Sequence, residues 1–357
     1  KDIQKFVDEV SDTEIYDLDE KVERIRRIAE IVDVISCNYQ EQWYPHIHKA
    51  IPDKLILGTE TYQFFRGHEE QLQNFSDDVP WMDVEKYDYV IGGMIWTGID
   101  YLGESMGFPA KGWAGSLFRT NNEPRPTAYL YQSYWTSEPM VYLAVMDYSL
   151  PDEGVKEHWD APRYASHWNF SQFNKSVIPY MIATNCEEVK IELVGHNYNR
   201  QFYVKKPSSY PNRMITGYLP YIPGTITVRG FINGKEECKY VLKTAGPAVK
   251  LEFDYEEITL KADEGYQKLF TVRAKDAEGT LVFHESSKVT FKVTGPAEIV
   301  ATDNGDICSD EPYNTNCRHM YHGCVSTVIR LTGEKGRVVL SAFSEGLYAG
   351  RLVINVV

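Results

Sequence analysis

Lys54-Leu55-Ile56-Leu57-Gly58-Thr59-Glu60-Thr61 is the stretch on which the fold turns. Its apolar residues run together without alternation, and Pro52-Asp53 ahead of them signals a turn. A short continuous apolar run of this kind reads as a strand of a parallel sheet, buried on both faces. Two similar runs flank it, Val32–Cys37 upstream and Tyr89–Trp96 downstream. Paired glycines at Gly92-Gly93 predict a bulge or a close backbone approach in the downstream strand. Helical spacing appears between and around these runs. Val22, Ile25, Ile28, Ala29 and Val32 recur at the helical period, with Arg26 and Arg27 on the other face. A segment over 41–50 is helical in part, and a last helix begins after Pro124 and Pro126, burying Tyr129, Leu130 and Tyr134. Strand alternating with helix predicts an α/β region with a parallel sheet wrapped by helices. About three strands are legible in it, where a closed (β/α)8 barrel takes eight.

Enzymes on such sheets do their chemistry at the carboxyl ends of the strands. The first strand here ends in Asn38-Tyr39, the second in Thr59-Glu60-Thr61, the third in Trp96-Thr97-Gly98-Ile99-Asp100. A carboxylate, a phenol, an amide and a broad aromatic face are a set suited to glycoside hydrolysis. The carboxylate attacks or stabilises the anomeric carbon, the phenol orients it, and the indole stacks on the sugar. Taken singly, each residue has a plainer reading: Glu60 as a helix cap or an arginine partner, Tyr39 as a rim residue, Trp96 as core packing. The weight lies in all three falling at strand ends of one sheet.

Beyond residue 137 the helical period disappears. Short runs at 177–184, 189–194 and 226–232, separated by Gly, Pro and Asn, read as an antiparallel sandwich. A second set begins near Val249, with runs at 258–262, 269–274, 289–293, 299–302, 325–331, 338–342 and 352–357. Seven strands in about a hundred residues fit one immunoglobulin-like domain. The expected organisation is therefore 1–136 as α/β, 137–246 as a β-sandwich and 247–357 as a second, immunoglobulin-like sandwich.

The 357 residues carry a net charge of −14, which repels a phosphate backbone and excludes nucleic acid as the expected partner. No apolar run reaches the ~18–20 residues of a membrane span. The six cysteines, at 37, 186, 238, 308, 317 and 324, have no framework spacing and read as reduced thiols. Cys317-x-His319-x-x-His322-x-Cys324 has zinc-ligand residue types but the spacing of no common finger, so no metal is expected there. Asp303-Asn304-Gly305-Asp306 offers oxygen ligands for calcium, yet its Asn-Gly favours a plain turn. The pairs His158-Trp159 and His167-Trp168 form either a sugar platform or, preferentially, packing between domains.

The sequence resembles glycoside hydrolase family 2, and the bacterial β-galactosidases within it. Leu57-Gly58-Thr59-Glu60-Thr61, then Gly92-Gly93-Met94-Ile95-Trp96-Thr97-Gly98-Ile99-Asp100-Tyr101-Leu102-Gly103-Glu104, and Asn38-Tyr39-Gln40-Glu41-Gln42 carry the likeness in the first region. His167-Trp168-Asn169-Phe170, Ala183-Thr184-Asn185-Cys186-Glu187-Glu188-Val189, Asn304-Gly305-Asp306, Ser309-x-Glu311-Pro312 and Gly323 carry it in the sandwiches. The resemblance implies the C-terminal part of a (β/α)8 TIM barrel followed by two immunoglobulin-like β-sandwich domains. It implies a retaining glycosidase acting on terminal β-galactosides without a cofactor. By the same resemblance Glu60 is the nucleophile, Tyr39 orients it, Trp96 lines the galactosyl site, and Asn38, Asp100 and Glu104 belong to the pocket wall.

Two departures qualify the likeness. The family's acid/base glutamate follows an asparagine on an earlier strand, and the Asn122-Glu123 present here falls after the last strand, in an Arg- and Pro-rich loop. The acid is therefore expected upstream of Lys1, and the chain by itself is expected to be inactive. β-Glucuronidases of the family carry an Asn-x-Lys pair, whereas Lys111 here has no asparagine two positions before it. That weakens a glucuronidase assignment, which with β-mannosidase remains the alternative activity. A third alternative is an inactive fragment whose sandwiches bind carbohydrate or a cell surface. The expected partner is an oligosaccharide or galactoside. Self-association and compartment, cytoplasmic or secreted from a bacterium, are left open by the sequence.

Overall fold

The computed structural model describes residues 18–64, 78–105, 107–150, 162–170, 172, 176–195 and 198–357, with backbone only at 18, 19 and 198–203. The pair His158-Trp159 lies outside these residues. Among them no helix is long and apolar enough to cross a membrane. The chain forms two compact units. The first holds the described residues up to Asp100 together with Gly115–Leu117; the second holds those of Tyr101–Ala114, Phe118–Gly154 and Arg163–Val357.

In the first unit, helix α1 (Leu18–Ala29), strand β1 (Val34–Asn38), helix α2 (Tyr44–Ala50), strand β2 (Leu55–Tyr62), helix α3 (Trp81–Lys86) and strand β3 (Val90–Trp96) alternate along the chain. The strands form one parallel sheet in the order β1-β2-β3. Ile35, Cys37, Ile56 and Val90 from the strands pack with Ala29, Tyr44, Ile47 and Ile51 in one core cluster. On the strands' alternate positions Leu55, Ile91 and Met94 are exposed, so apolar residues do occupy both faces. The periodicity placed Ile28 with the buried stripe, but the helix ends at Ala29 and Ile28 is 57% exposed.

The second unit opens with a small hairpin, β4 (Tyr101–Leu102) and β5 (Gly112–Trp113), and helix α4 (Pro126–Trp135). Proline at the first helical position suits α4, because that amide would have no intrahelical acceptor. Its buried face is Thr127, Ala128, Leu130, Tyr131 and Ser133, whereas the expected Tyr129 and Tyr134 are only half-buried. Register about the helix axis, invisible in a stretch with six aromatic or apolar candidates, decides between them.

Eight strands follow: β6 (Val141–Met146), β7 (Tyr164–Ala165), β8 (Val177–Thr184), β9 (Glu188–Gly195), β10 (Tyr198–Lys205), β11 (Ile215–Pro220), β12 (Gly224–Ile232) and β13 (Lys235–Lys243). They make two four-stranded sheets, β11-β8-β6-β7 and β10-β9-β12-β13. Leu143, Tyr180 and Ile215 from one sheet and Ile191, Val228 and Leu242 from the other share a core around Trp168. Inward residues alternate with outward ones, as along β9, where Val189, Ile191 and Leu193 are all fully buried.

The last sandwich contains β14 (Lys250–Phe253), β15 (Glu257–Leu260), β16 (Gln267–Lys275), β17 (Lys288–Thr294), β18 (Ala297–Asp303), β19 (Cys317–His319), β20 (Cys324–Leu331), β21 (Gly336–Phe343) and β22 (Gly350–Val356). These nine strands, two more than the seven legible in the sequence, form sheets β14-β16-β20-β18 and β15-β22-β21-β17-β19 over a second core. The additional β14 and β19 are too short, at four and three residues, to show a period.

Candidate active site

The carboxyl ends of β1, β2 and β3 carry the chemistry-bearing residues, and their backbone is irregular there. On the β1 side the register passes from Cys37↔Gly58 to Asn38↔Glu60; on the β3 side it passes from Gly58↔Gly93 to Thr61↔Ile95. Thr59 and Glu60 thus form a bulge against both neighbours. A bulge re-aims the side chains it contains and ends regular pairing, and it recurs beside active sites for that reason. Gly58, immediately before it, has no room for a side chain. A Cβ there would sit 2.6 Å from Tyr44 Oη and 2.8 Å from Thr61 Cγ2.

Tyr39 holds residue 60 twice. Its backbone amide donates to the Glu60 carbonyl at 2.8 Å, and its Oη donates to Glu60 Oε2 at 2.8 Å. Its φ of 54° lies in the left-handed region, which costs a side-chain-bearing residue about 1–2 kcal/mol; the two bonds to residue 60 hold it there. Burial, then the hydrogen bond and the negative charge of Glu60, push the Tyr39 phenol well above its usual range. The phenol therefore stays protonated and remains a donor. Among the described residues no lysine or arginine pairs with Glu60, whose half-buried carboxylate has Tyr39 as its side-chain partner.

Thr59 Oγ1 lies 2.7 Å from Asn38 Oδ1, to which it donates. The carbonyl end of the Asn38 amide is thereby engaged and its two N–H donors point elsewhere. The Tyr39 ring packs against Tyr62, centroids 4.9 Å apart, and Tyr62 stands opposite Trp96 in the β2–β3 register. Tyr62 was missed by sequence reasoning. Its signal was the period of a strand, since it follows Glu60 by two positions and shares its side.

Asp100 and Glu104 are placed differently. Asp100 is buried, and its Oδ1 accepts the amide of Ser116 at 3.0 Å. With Leu117 N donating to Thr97 O, this bond ties the loop after β3 to residues 115–117. Glu104 is exposed, accepts the hydroxyl of Tyr101, and belongs to the second unit. The structure therefore assembles Asn38, Tyr39, Glu60 and Trp96 along one set of strand ends, gives Asp100 a loop-fixing bond, and sets Glu104 on the β4–β5 hairpin. Lys111 is exposed, with its ammonium 5.5 Å from the Tyr313 ring centre.

The metal-ligand types found in the sequence are satisfied by protein. His319 Nδ1 bonds Glu311 Oε1, Cys324 Sγ bonds Tyr321 O, and His322 stacks on Phe283 and Tyr321. Asp303, Asn304 and Asp306 each accept a backbone amide two residues on, which makes the segment a run of Asx turns. A different group, Asp147, His167 and His284, brings its ligand atoms within 4.8 Å of one another. The Asn169 amide donates to His167 Nδ1, so Nε2 carries the proton and donates to Asp147 Oδ2 at 2.9 Å. A cation between Asp147 and His167 would have to displace that proton and leave the Asn169 bond unmade. Burial opposes the charge on Asp147, but bonds from His167 and Ser149 prevail and hold its carboxyl down at about 2. His167 packs within 4.7 Å of Phe283 and 4.5 Å of His284. The motif His167-Trp168 is thus packing between the two sandwiches, with the Trp168 indole donating to Ile222 O in the core.

The chain is similar to known glycoside hydrolases. Residues 250–353 match the family described as glycoside hydrolase family 2 C-terminal domain 5. Beta-galactosidase BoGH2A of Bacteroides ovatus is 25% identical over 360 residues, an alignment covering 91% of this chain and 39% of that protein. The chain is similar to glycoside hydrolase family 2 members over most of its length, and residues 250–353 carry that family's C-terminal domain 5. A solved family 2 member from Bacteroides cellulosilyticus is 25% identical with a TM-score of 0.76, over 91% of this chain and 42% of that one. A beta-glycosidase from Bacteroides vulgatus shares the fold at 22% identity and a TM-score of 0.72, over 91% of this chain and 45% of that one. The chain spans less than half the length of each of these three relatives.

Proposed function

We propose that this chain supplies the nucleophile side of a retaining, β-galactosidase-type active site, with Glu60 as the residue that bonds the anomeric carbon. The observation that carries the reading is the 2.8 Å bond from Tyr39 Oη to Glu60 Oε2 at the carboxyl ends of parallel strands. A carboxylate oriented through one oxygen and, among the described residues, without a paired cation keeps its other oxygen for attack. Tyr39 stays protonated as the glycosyl–enzyme bond forms and holds the carboxylate in line with the sugar carbon. The Trp96 face receives the apolar face of the sugar, and the Asn38 amide, fixed by Thr59, donates to a sugar hydroxyl. Asp100 acts as a positioning residue for the loop after β3. Glu104, bonded to Tyr101, takes no part in this account.

The sheet supports a barrel reading as well. Parallel strands with helices on one face and exposed Leu55, Ile91 and Met94 on alternate positions match consecutive strands of a (β/α)8 barrel. The two sandwiches fit the immunoglobulin-like class. The retaining mechanism needs a second carboxyl group ~5–5.5 Å from the nucleophile to protonate the leaving group and then activate water. Glu123 is not that group, because both its oxygens are taken by the Arg273 guanidinium at 2.7 and 2.8 Å. The acid comes, on this reading, from a strand other than β1–β3.

Azide rescue tests the assignment in the natural gene product. Glu60→Ala given azide and an aryl β-galactoside with a good leaving group should form the α-galactosyl azide, because azide replaces the missing nucleophile on the opposite face. Formation of the β-azide would make Glu60 the acid/base instead, and an undiminished hydrolysis rate would remove it from catalysis.

A further inference from the structure

We propose that Cys186 and Cys238 are a redox site, a dithiol that small-molecule disulfides convert into an intramolecular disulfide within the middle sandwich. The two sulfurs lie 3.5 Å apart, in contact with nothing between them. They meet because position 230 has no side chain. Gly230 faces Cys238 in the β12–β13 register, and a Cβ on it would lie 2.5 Å from Cys186 Sγ and 2.7 Å from Cys238 Sγ. Any residue but glycine would fill the space the sulfurs occupy. Closing the bond to ~2.05 Å asks for a movement of about 1.5 Å, within reach of rotation about the two Cα–Cβ bonds.

The surroundings give each thiol a part. Cys186 is buried at the turn between β8 and β9, its S–H aimed at Met140 O. Cys238 is partly exposed on the edge strand β13, so a reagent reaches it first. The Cys238 thiolate attacks one sulfur of the oxidant and releases one thiol. Cys186 then attacks Cys238 Sγ and releases the second. The protein loses two electrons and two protons, and the reagent disulfide becomes two thiols. Burial and the neighbouring Cys186 thiol push the Cys238 thiol up, so its thiolate fraction at neutral pH is small and the reaction quickens as pH rises.

The bond would also tie down a structural junction. Next to Cys186, Asn185 accepts the Met140 amide and donates to the carbonyls of Thr136 and Glu138, while Thr184 donates to Met140 O. This turn anchors the segment leading from α4 into the sandwich. A disulfide fastens it to the sheet edge and closes a long loop of chain, which lowers the entropy of the unfolded state.

The test uses the natural gene product held at pH 8 and at pH 9 with excess oxidised glutathione, then alkylated and digested without reduction. The proposal expects a linked Cys186–Cys238 peptide, formed faster at pH 9 than at pH 8, and a Tm raised by about 5 °C that dithiothreitol reverses. Cys238→Ser should keep the fold and its original Tm and show neither the link nor the rise. Separate alkylation of both cysteines after oxidation, or arrest at a glutathione adduct, would overturn it.

Discussion

Two carboxylates show how differently this chain treats its acidic groups. Asp147 in the middle sandwich has both oxygens engaged. Oδ1 takes the amide and hydroxyl of Ser149, and Oδ2 takes the His167 ring N–H. Glu60 at the strand ends of the parallel sheet is half-buried, with one oxygen bound to Tyr39. Burying a charge is costly unless it is paired and bonded, so a structural carboxylate is saturated. A reactive carboxylate must keep a lone pair for its substrate, so it is held at one oxygen and left open at the other. On the proposed function, engagement of both oxygens or of one separates the carboxylate that holds the fold from the one that does chemistry.

The largest expected effect falls on the open carboxylate. Glu60→Gln in the natural gene product should lower kcat on an aryl β-galactoside by about a thousandfold or more, with the melting temperature little changed. A loss of stability without a comparable loss of rate would place Glu60 with the structural carboxylates. Arg273 lies on the saturated side of the comparison, forked onto Glu123 and bonded to Asp254 at 2.7 Å. Arg273→Ala should destabilise the fold by about 3 kcal/mol, read by denaturant titration, because two carboxylates lose their cation at once. Tyr39→Phe removes the single bond that orients Glu60. It should slow glycosyl–enzyme formation by about ten- to a hundredfold while the protein stays folded.

The smallest effect carries a pH signature. The Asp147 carboxyl, held at about 2 in the folded chain, lies below the ~3.9 of an unfolded aspartate. Its contribution is therefore present above about pH 4 and lost as pH falls from there toward 2, an amount near 2 kcal/mol. Asp147→Asn should be less stable than the parent at pH 7 by about that much, with the gap closing below pH 4. A gap independent of pH would mean that Asp147 matters through shape and not through charge.

Much of the candidate site was legible because it depends on strand ends. The apolar runs ending at Asn38, Glu60 and Trp96 mark where parallel strands stop, and parallel strands open their carboxyl ends to substrate. What the sequence hid was relational. The bulge at Thr59-Glu60 exists only in the offset between β2 and its two neighbours. The Asp147–His167 pair joins residues twenty positions apart through sandwich packing, and the Cys186–Cys238 approach depends on an absent side chain on a third strand. Short elements were equally quiet: β7 and β19 have two and three residues and are set by their partners, not by their own composition. The family resemblance assigns Glu104 to the pocket wall; the chain passes into the second unit at Tyr101, and there Glu104 accepts the Tyr101 hydroxyl.

Trapping with a 2-deoxy-2-fluoro-β-galactoside bearing a good leaving group tests the central claim most directly. The electron-withdrawing fluorine slows both formation and hydrolysis of the glycosyl–enzyme, and the reactive leaving group restores formation alone, so the intermediate accumulates. Peptide mapping of the inactivated natural gene product should find one fluorogalactosyl group, esterified to Glu60. A label on any other carboxylate, or continued hydrolysis of β-galactosides with Glu60 unmodified, would contradict the account.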